Sequence, residues 1–294
     1  VAPSPAAGFD LADLFPAADL GERLILALRS VSVGFGGVRA LDEVSFDVNA
    51  GEIVAVVGPN GAGKTTLLNC ICGLARTQAG TGVTFCGTDV AGRSPAALAA
   101  AGMGRSFQDP QLIEDLSVLE NVMAGGYLGF RYSMLDQCLR RRRVAALEAM
   151  ARGNAMGLLE LVGLDSQASR VVSQLPYGAR KLVDIVRAMM SRPRLLLLDE
   201  PTSGLDTTEQ ALVTELLLQL RRTPGATVVL VEHHMDIVRA AATHALGLQA
   251  GAVLAAGPPA AVLDSPAFRA AIIGAAPAEA SPPPMASKQR TGEA

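Results

Sequence analysis

Gly58-Pro59-Asn60-Gly61-Ala62-Gly63-Lys64-Thr65-Thr66 is the stretch on which the reading of this chain turns. It fits G-x-x-x-x-G-K-[ST], a glycine-rich loop that wraps phosphates. The run Ile53-Val54-Ala55-Val56-Val57 before it suits a buried strand, and Leu67-Leu68-Asn69 after it opens a helix. That strand, loop and helix setting separates a phosphate cradle from a glycine-rich turn carrying a chance lysine. Glycines let backbone N–H groups approach a polyphosphate without obstruction. The helix N-terminus adds partial positive charge beneath it. Lys64 is expected to reach the outer phosphates and the Thr65 hydroxyl to ligate Mg²⁺. Gly58, Pro59, Asn60, Gly61, Ala62, Gly63 and Thr66 complete the expected cradle.

The other half of such a site lies far along the chain. The aliphatic run Leu195-Leu196-Leu197-Leu198 ends in Asp199-Glu200-Pro201, 135 residues after Lys64 (199 − 64). An acidic residue at the carboxyl end of a buried strand beside a phosphate loop is placed to hold Mg²⁺, which points to Asp199. The next carboxylate, Glu200, can polarise a water aimed at the terminal phosphate and is the expected general base. His233 follows the strand-like run Thr227-Val228-Val229-Leu230-Val231, and its imidazole can hold that water or Glu200 in position. Gln108, in Gly104-Arg105-Ser106-Phe107-Gln108-Asp109, can ligate Mg²⁺ and sense the terminal phosphate. His234 is expected to point elsewhere, and His244 to be structural.

Composition sets the bounds. At 294 residues the chain can hold one large domain or two modest ones. Half of it is apolar, aromatics are 4% and Trp is absent, so the core must be mainly Ala, Leu and Val. A net charge of −3 gives no global argument for nucleic-acid binding, which usually shows as a basic domain. Cys70, Cys72, Cys86 and Cys138 form no C-x-x-C pair and read as small apolar residues in a reducing compartment. Mean hydropathy is +0.32, yet no apolar run approaches the roughly 18–20 residues of a membrane span. The sequence shows no basic n-region followed by an apolar h-region, so no secretory signal is expected. These features favour a cytoplasmic protein that reaches a membrane only by docking onto another protein.

Along the chain, residues 1–24 (Pro3, Pro5, Pro16 among alanines) read as a flexible N-terminal extension, although Leu11, Leu14 and Phe15 have helical spacing. Residues 25–50 alternate apolar and polar in two pieces around Gly36-Gly37, as strands of an antiparallel lobe do. Ala- and Leu-rich helical periodicity over about 93–180 reads as an inserted helical subdomain. Arg140-Arg141-Arg142-Arg143 within it reads as a solvated helix face, with lipid headgroups or a membrane partner as the alternative. Helix, strand, helix and strand then alternate from 182 to 231, the pattern of a parallel sheet with crossover helices. A small β segment follows around Gly251 and Gly257, and residues 276–294 read as a disordered tail. The fold class is α/β: a P-loop nucleotide hydrolase core, with a mixed sheet and an antiparallel β lobe, carrying an inserted helical subdomain.

Over about residues 25–275 the constellation resembles the ATP-binding subunit of an ABC transporter. Gly58 to Thr65 match the phosphate loop, Gln108 the Q-loop, and Leu175-Pro176-Tyr177-Gly178-Ala179-Arg180-Lys181 the signature region. Leu195 to Glu200 match the Mg²⁺-aspartate strand with its adjacent base, Ser203-Gly204-Leu205-Asp206 the D-loop, and His233 the switch histidine. The resemblance implies ATP and Mg²⁺ as cofactors, Phe35 stacking on adenine, and Pro176, Tyr177, Gly178 and Asp206 meeting a nucleotide sandwiched between two ATPase subunits. Three stretches are similar to the ATPases of branched-chain amino-acid importers: Phe35-Gly36-Gly37-Val38-Arg39-Ala40-Leu41-Asp42; Gly104 to Gln108 with Leu116-Ser117-Val118-Leu119-Glu120-Asn121-Val122; and Val231-Glu232-His233-His234-Met235. That closer resemblance implies a second ABC ATPase subunit, two transmembrane permease subunits, a solute-binding protein and a peripheral place on the cytoplasmic face of the cell membrane. Its alternatives are an ABC system for urea or short amides, lipid export, or a soluble non-transport ABC ATPase. Two departures stand out. Pro176 and Ala179 replace the usual serine and glutamine of the signature, with the helix expected to start near Ala179. Thr243-His244 stand where relatives often carry an acidic-basic pair.

Overall fold

Strands β1 (Leu24–Phe35) and β2 (Val38–Asn49) form a hairpin whose two-residue turn is Gly36-Gly37. Its φ values of 55° and 87° are what a type I′ turn demands at both central positions. The computed structural model describes residues 9–15, 23–78, 81–129 and 141–274. With β4 (Gly82–Phe85) and β5 (Thr88–Asp89) the hairpin makes a four-stranded antiparallel sheet in the order β2-β1-β4-β5.

A second sheet contains β3 (Ile53–Val57), β6 (Met103–Arg105), β7 (Leu195–Asp199), β8 (Val228–Val231), β9 (His244–Gln249) and β10 (Ala252–Gly257). Its order is β10-β9-β3-β8-β7-β6, and only β10 runs antiparallel to its neighbour. Every residue of β3, β7 and β8 is buried, which explains their unbroken aliphatic runs. Alternate residues serve two cores. Val54, Val56, Leu195, Leu197, Val229 and Val231 pack with the β lobe. Ile53, Ala55, Leu196, Leu198, Val228 and Leu230 pack on the opposite face against the helical side.

The described helices are α1 (Lys64–Ile71), α2 (Pro95–Ala100), α3 (Val118–Gly125), α4 (Arg141–Leu161), α5 (Tyr177–Met190), α6 (Thr207–Arg222), α7 (Met235–Ala241), α8 (Pro259–Leu263) and α9 (Pro266–Gly274). α3 and α6 each open with a capping box, Ser117 with Glu120 and Asp206 with Glu209. Among the described residues no helix is long and apolar enough to cross a membrane.

Three expectations need correction. The inserted helical part does not begin at 93, because α2 leads into β6, which pairs in parallel with β7 as the edge of the large sheet. A three-residue strand is too short to show a period in sequence. α5 starts at Tyr177 rather than near Ala179. Within residues 1–24, the described stretch 9–15 is docked rather than loose. Leu11–Leu14 form a 3₁₀ turn capped by Asp10, and Leu14 and Phe15 are buried in the helical-side core. Phe9 lies against Gly157 of α4 so closely that a Cβ there would sit 2.2 Å from the ring.

Thr243 has a physical role. Its hydroxyl accepts from the Ile53 N–H and donates to the Ile53 carbonyl, both at 3.0 Å, stitching the entry of β9 to β3. Cys70 and Cys72 are buried and free, and burial pushes the Cys70 thiol up to about 12. Cys138, Arg140, the side chains of Arg141 to Arg143, and the expected tail 276–294 lie outside the described residues.

Candidate functional site

Loops leaving the carboxyl ends of β3, β7 and β8 meet at one edge of the large sheet. After β3 the chain turns through Gly58 to Gly63 and enters α1. A Cβ on Gly58 would lie 2.2 Å from the Leu248 carbonyl oxygen, and one on Gly63 would lie 2.5 Å from the Ala40 oxygen. With φ of 156° and 101°, these positions admit only glycine. Gly63 caps α1 without a side-chain acceptor, so the helix N-terminal amides are left for an anion. Lys64 is buried and curls back, its Nζ donating to the Gly58 and Pro59 carbonyls at 2.9 and 3.0 Å. Burial lowers its pKa, and the charges of Glu200 and Asp199 oppose that shift. Asn60 to Thr66, Glu200 and, from the hairpin side, Val38, Arg39 and Ala40 line a cleft of about 470 Å³.

Asp199 ends β7 with 1% exposure. Arg105, at the end of β6, reaches its Oδ2 at 3.3 Å, while Oδ1 is buried without a hydrogen-bond partner. Burial raises the Asp199 carboxyl, and Arg105 opposes it. A buried unsatisfied oxygen typically costs about 1–3 kcal/mol, which a hard cation would relieve. Together with the exposed Thr65 of the cleft and Gln108, that orphaned oxygen fits Mg²⁺.

Glu200 follows with φ of 47°, an uncommon setting for a residue with a side chain, held by its N–H to the Val231 carbonyl at 3.0 Å. Gln108 Nε2 lies 3.4 Å from Glu200 Oε2, which joins the Q-loop to the expected base. His233 has a half-exposed ring. Among the described residues that ring is not hydrogen-bonded to Glu200. Its backbone is fixed instead, since the His233 and His234 N–H groups donate to Glu232 Oε2 at 2.7 and 3.1 Å. The fully buried Glu232 also accepts from the Thr202 hydroxyl and, at 3.3 Å, from its N–H. His234, expected to point elsewhere than His233, shares Nδ1 with Thr202 Oγ1 at 2.9 Å.

The remaining expected residues lie outside the cleft. Phe35 is 58% exposed at the hairpin tip, paired with the cleft residue Val38, so it is not a core residue of the lobe. Pro176 caps α5 and offers no side-chain acceptor. The Tyr177 hydroxyl donates to the Gln108 carbonyl at 3.1 Å. A Cβ on Gly178 would strike the Glu209 carboxylate. Within this chain Asp206 acts as the cap of α6, accepting from the Thr208 and Glu209 N–H groups at 2.8 Å. Sequence reasoning passed over Arg105, Lys181, Asp184 and Glu232, whose only signal was a charge set against aliphatic runs.

The ABC transporter family model matches residues 41–203, more than half of the chain. The chain belongs to the ABC transporter family. The "High-affinity branched-chain amino acid transport ATP-binding protein LivG" of Salmonella typhimurium is 32% identical over 252 residues, covering 86% of this chain and 98% of the relative. A crystal structure of an ATP-binding cassette of an ABC transporter in its ADP conformation superposes with a TM-score of 0.71 at 32% identity, over 85% of this chain and 99% of that one. A dimeric ATP-binding cassette in a post-hydrolysis state, bound to ADP and phosphate, superposes at 0.68 with 27% identity, over 80% and 99%. This ABC protein is thus the ATP-binding subunit of a transporter, with ATP hydrolysis coupled to transport.

Proposed function

We propose that this ABC ATPase powers the import of branched-chain amino acids, or of small related amino acids and amides, across the cell membrane. Lys64 and the backbone N–H groups of the Gly58-to-Thr66 loop other than Pro59 hold the phosphates, Phe35 stacks on the adenine, and Thr65, Gln108 and Asp199 hold Mg²⁺. The cation neutralises charge on the outer phosphate oxygens when bound. Glu200 accepts a proton from the attacking water, and Gln108 and His233 hold that arrangement. The observation that carries this reading is the convergence of Lys64, Glu200 and the partnerless Asp199 oxygen at one sheet edge.

A second ATPase subunit, a copy or a sister, closes the cleft with its own Pro176-to-Gly178 region and Asp206, none of which lines the cleft within one chain. The dimeric state of the post-hydrolysis relative supports a two-subunit reading. Two permease subunits and a solute-binding protein complete the machine, and the ATPase sits peripherally on the cytoplasmic face. The amino-acid assignment rests on the full-length similarity to LivG. The test is ATPase stimulation in proteoliposomes holding the permease complex, on adding solute-binding protein loaded with leucine, isoleucine, valine, urea or a short amide. Stimulation by the three aliphatic amino acids supports the reading. Stimulation by urea or amides alone, or by lipid without any binding protein, overturns it.

A further inference from the structure

Arg105 is a buried charge that the chemistry above leaves without a task. It ends β6, level with Leu197 of β7, and its side chain, only 10% exposed, reaches Asp199 two residues further along that strand. Three contacts hold the guanidinium. Nη1 donates to the Sγ of Cys72, the residue that caps the end of α1. The Phe107 ring centre lies 5.0 Å from the guanidinium carbon. Nη2 donates to Asp199 Oδ2 at 3.3 Å. Because the two terminal nitrogens serve different residues, the two-pronged pairing usual between arginine and a carboxylate is not made here. The carboxylate is left lopsided: Oδ2 carries the arginine, and Oδ1 is buried with no partner.

Hard divalent cations differ in what they ask of a carboxylate. Ca²⁺ takes about six to eight oxygens at about 2.3–2.6 Å and readily accepts both oxygens of one group. Mg²⁺ demands a near-octahedral shell at about 2.0–2.1 Å, which the narrow bite of a two-oxygen carboxylate distorts. We propose that Arg105 is a positioning residue that makes Asp199 a one-oxygen ligand, and so selects Mg²⁺ over Ca²⁺ beside the nucleotide. The inference rests on the nucleotide and Mg²⁺ reading above, and assigns the choice of cation to a residue outside the proposed ligand set. A brace that only neutralised the buried carboxylate would serve both cations alike. Occupation of one oxygen and not the other is what favours the smaller ion.

The test measures, on the full chain, the affinity of a non-hydrolysable ATP analogue by calorimetry in saturating Mg²⁺, in saturating Ca²⁺ and in EDTA. At saturation the free analogue already carries its metal, so the ratio of the two affinities reports the preference of the protein and not of the nucleotide. The variants are Arg105→Met and, should that one unfold, Arg105→Gln, with melting temperature as the check on folding. The unaltered chain is expected to bind the Mg²⁺ form about tenfold or more tighter than the Ca²⁺ form. In the variants the ratio falls to within about threefold, chiefly because the Ca²⁺ form binds more tightly once both Asp199 oxygens are free. A ratio under about threefold in the unaltered chain overturns the proposal whatever the variants do. A folded variant that keeps the parent ratio also overturns it, as does an equal loss of both affinities, which marks a brace and no more. Equal affinity in EDTA and in Mg²⁺ for the unaltered chain overturns the cation reading itself, and binding under none of the three conditions overturns the nucleotide reading.

Discussion

Glu200→Gln tests the chemistry most directly. The amide is isosteric, keeps the backbone N–H contact to the Val231 carbonyl, and can still accept from Gln108 Nε2, now 3.4 Å from the carboxylate. What disappears is the proton acceptor. General-base catalysis contributes about 10²–10⁴-fold, or about 3–5 kcal/mol of barrier. Binding moves the other way. A carboxylate and a phosphate charge about 5 Å apart repel by roughly 3 kcal/mol at an effective dielectric constant near 20, an upper bound for the relief on neutralisation. Lys64 loses one of the two carboxylates that favour its charged form but gains phosphates in exchange. The expected variant binds ATP as tightly as the parent or more so, accumulates as an ATP-bound dimer, and releases phosphate at least a hundredfold more slowly in single turnover. Phosphate release within fivefold of the parent, at unchanged affinity, would remove Glu200 from the role of base.

Asp199→Asn should melt at an equal or higher temperature than the parent in EDTA at neutral pH. Burial raises the Asp199 carboxyl, so folding disfavours its ionised form; the gain in melting temperature that Mg-ATP gives the parent should shrink in the variant, and a lower melting point in EDTA contradicts this. Asp264 is held down to about 2 by hydrogen bonds from Arg239 and Arg269. A depressed carboxylate stabilises fully above its unfolded value near 3.9 and loses that contribution as pH falls toward about 2, so the melting gap to Asp264→Asn should be flat from pH 7 to 5 and close below pH 4; a gap that widens on acidification refutes the assignment. Leu14→Ala should cost roughly 2–5 kcal/mol in urea unfolding, as for a fully buried leucine, and a cost below about 1 kcal/mol would show that residues 9–15 do not dock. Pro176→Ser restores a hydroxyl whose hydrogen bond to a charged group is worth about 1.5–3 kcal/mol and keeps a good cap for α5. ATPase activity should hold or rise, whereas a strong loss marks the proline as required.

The phosphate loop and Asp199-Glu200 could be read from sequence because local backbone demands fix them. Gly58 and Gly63 have no room for a Cβ, and a short run of four leucines ending in two carboxylates suits a buried strand. The Gly36-Gly37 hairpin is legible for the same reason. What stayed hidden depends on partners far along the chain. Arg105 meets Asp199 across 94 residues, Asp184 meets Phe107 across 77, and Thr202 meets Glu232 across 30. Arg105, Asp184 and Glu232 look like ordinary surface charges in sequence until the fold brings these partners to them. Leu14 and Phe15 carried helical spacing among prolines, but only the helical-side core gives them somewhere to pack. Asp206 shows the converse: a motif match predicted nucleotide contact, and within one chain the carboxylate is spent on capping α6.

Three adjacent parallel strands, β3, β8 and β7, each deliver one loop to the site, and what distinguishes the site is how those loops are tied. The Glu200 N–H bonds to the last residue of β8, and Glu232 after β8 accepts from Thr202 after β7 and from the backbone of His233 and His234. The strained φ of Glu200 is therefore over-determined by its neighbours, as a strained residue must be to persist. Glu232 grips the His233 backbone and leaves the imidazole half exposed, so that ring can swing toward a phosphate without unfastening the loop. On the other side, Asp184 and Arg187 grip the backbone around Gln108 in the same manner. Both side chains proposed to sense the terminal phosphate, Gln108 and His233, are thus carried on backbone held by buried carboxylates, Asp184 and Glu232.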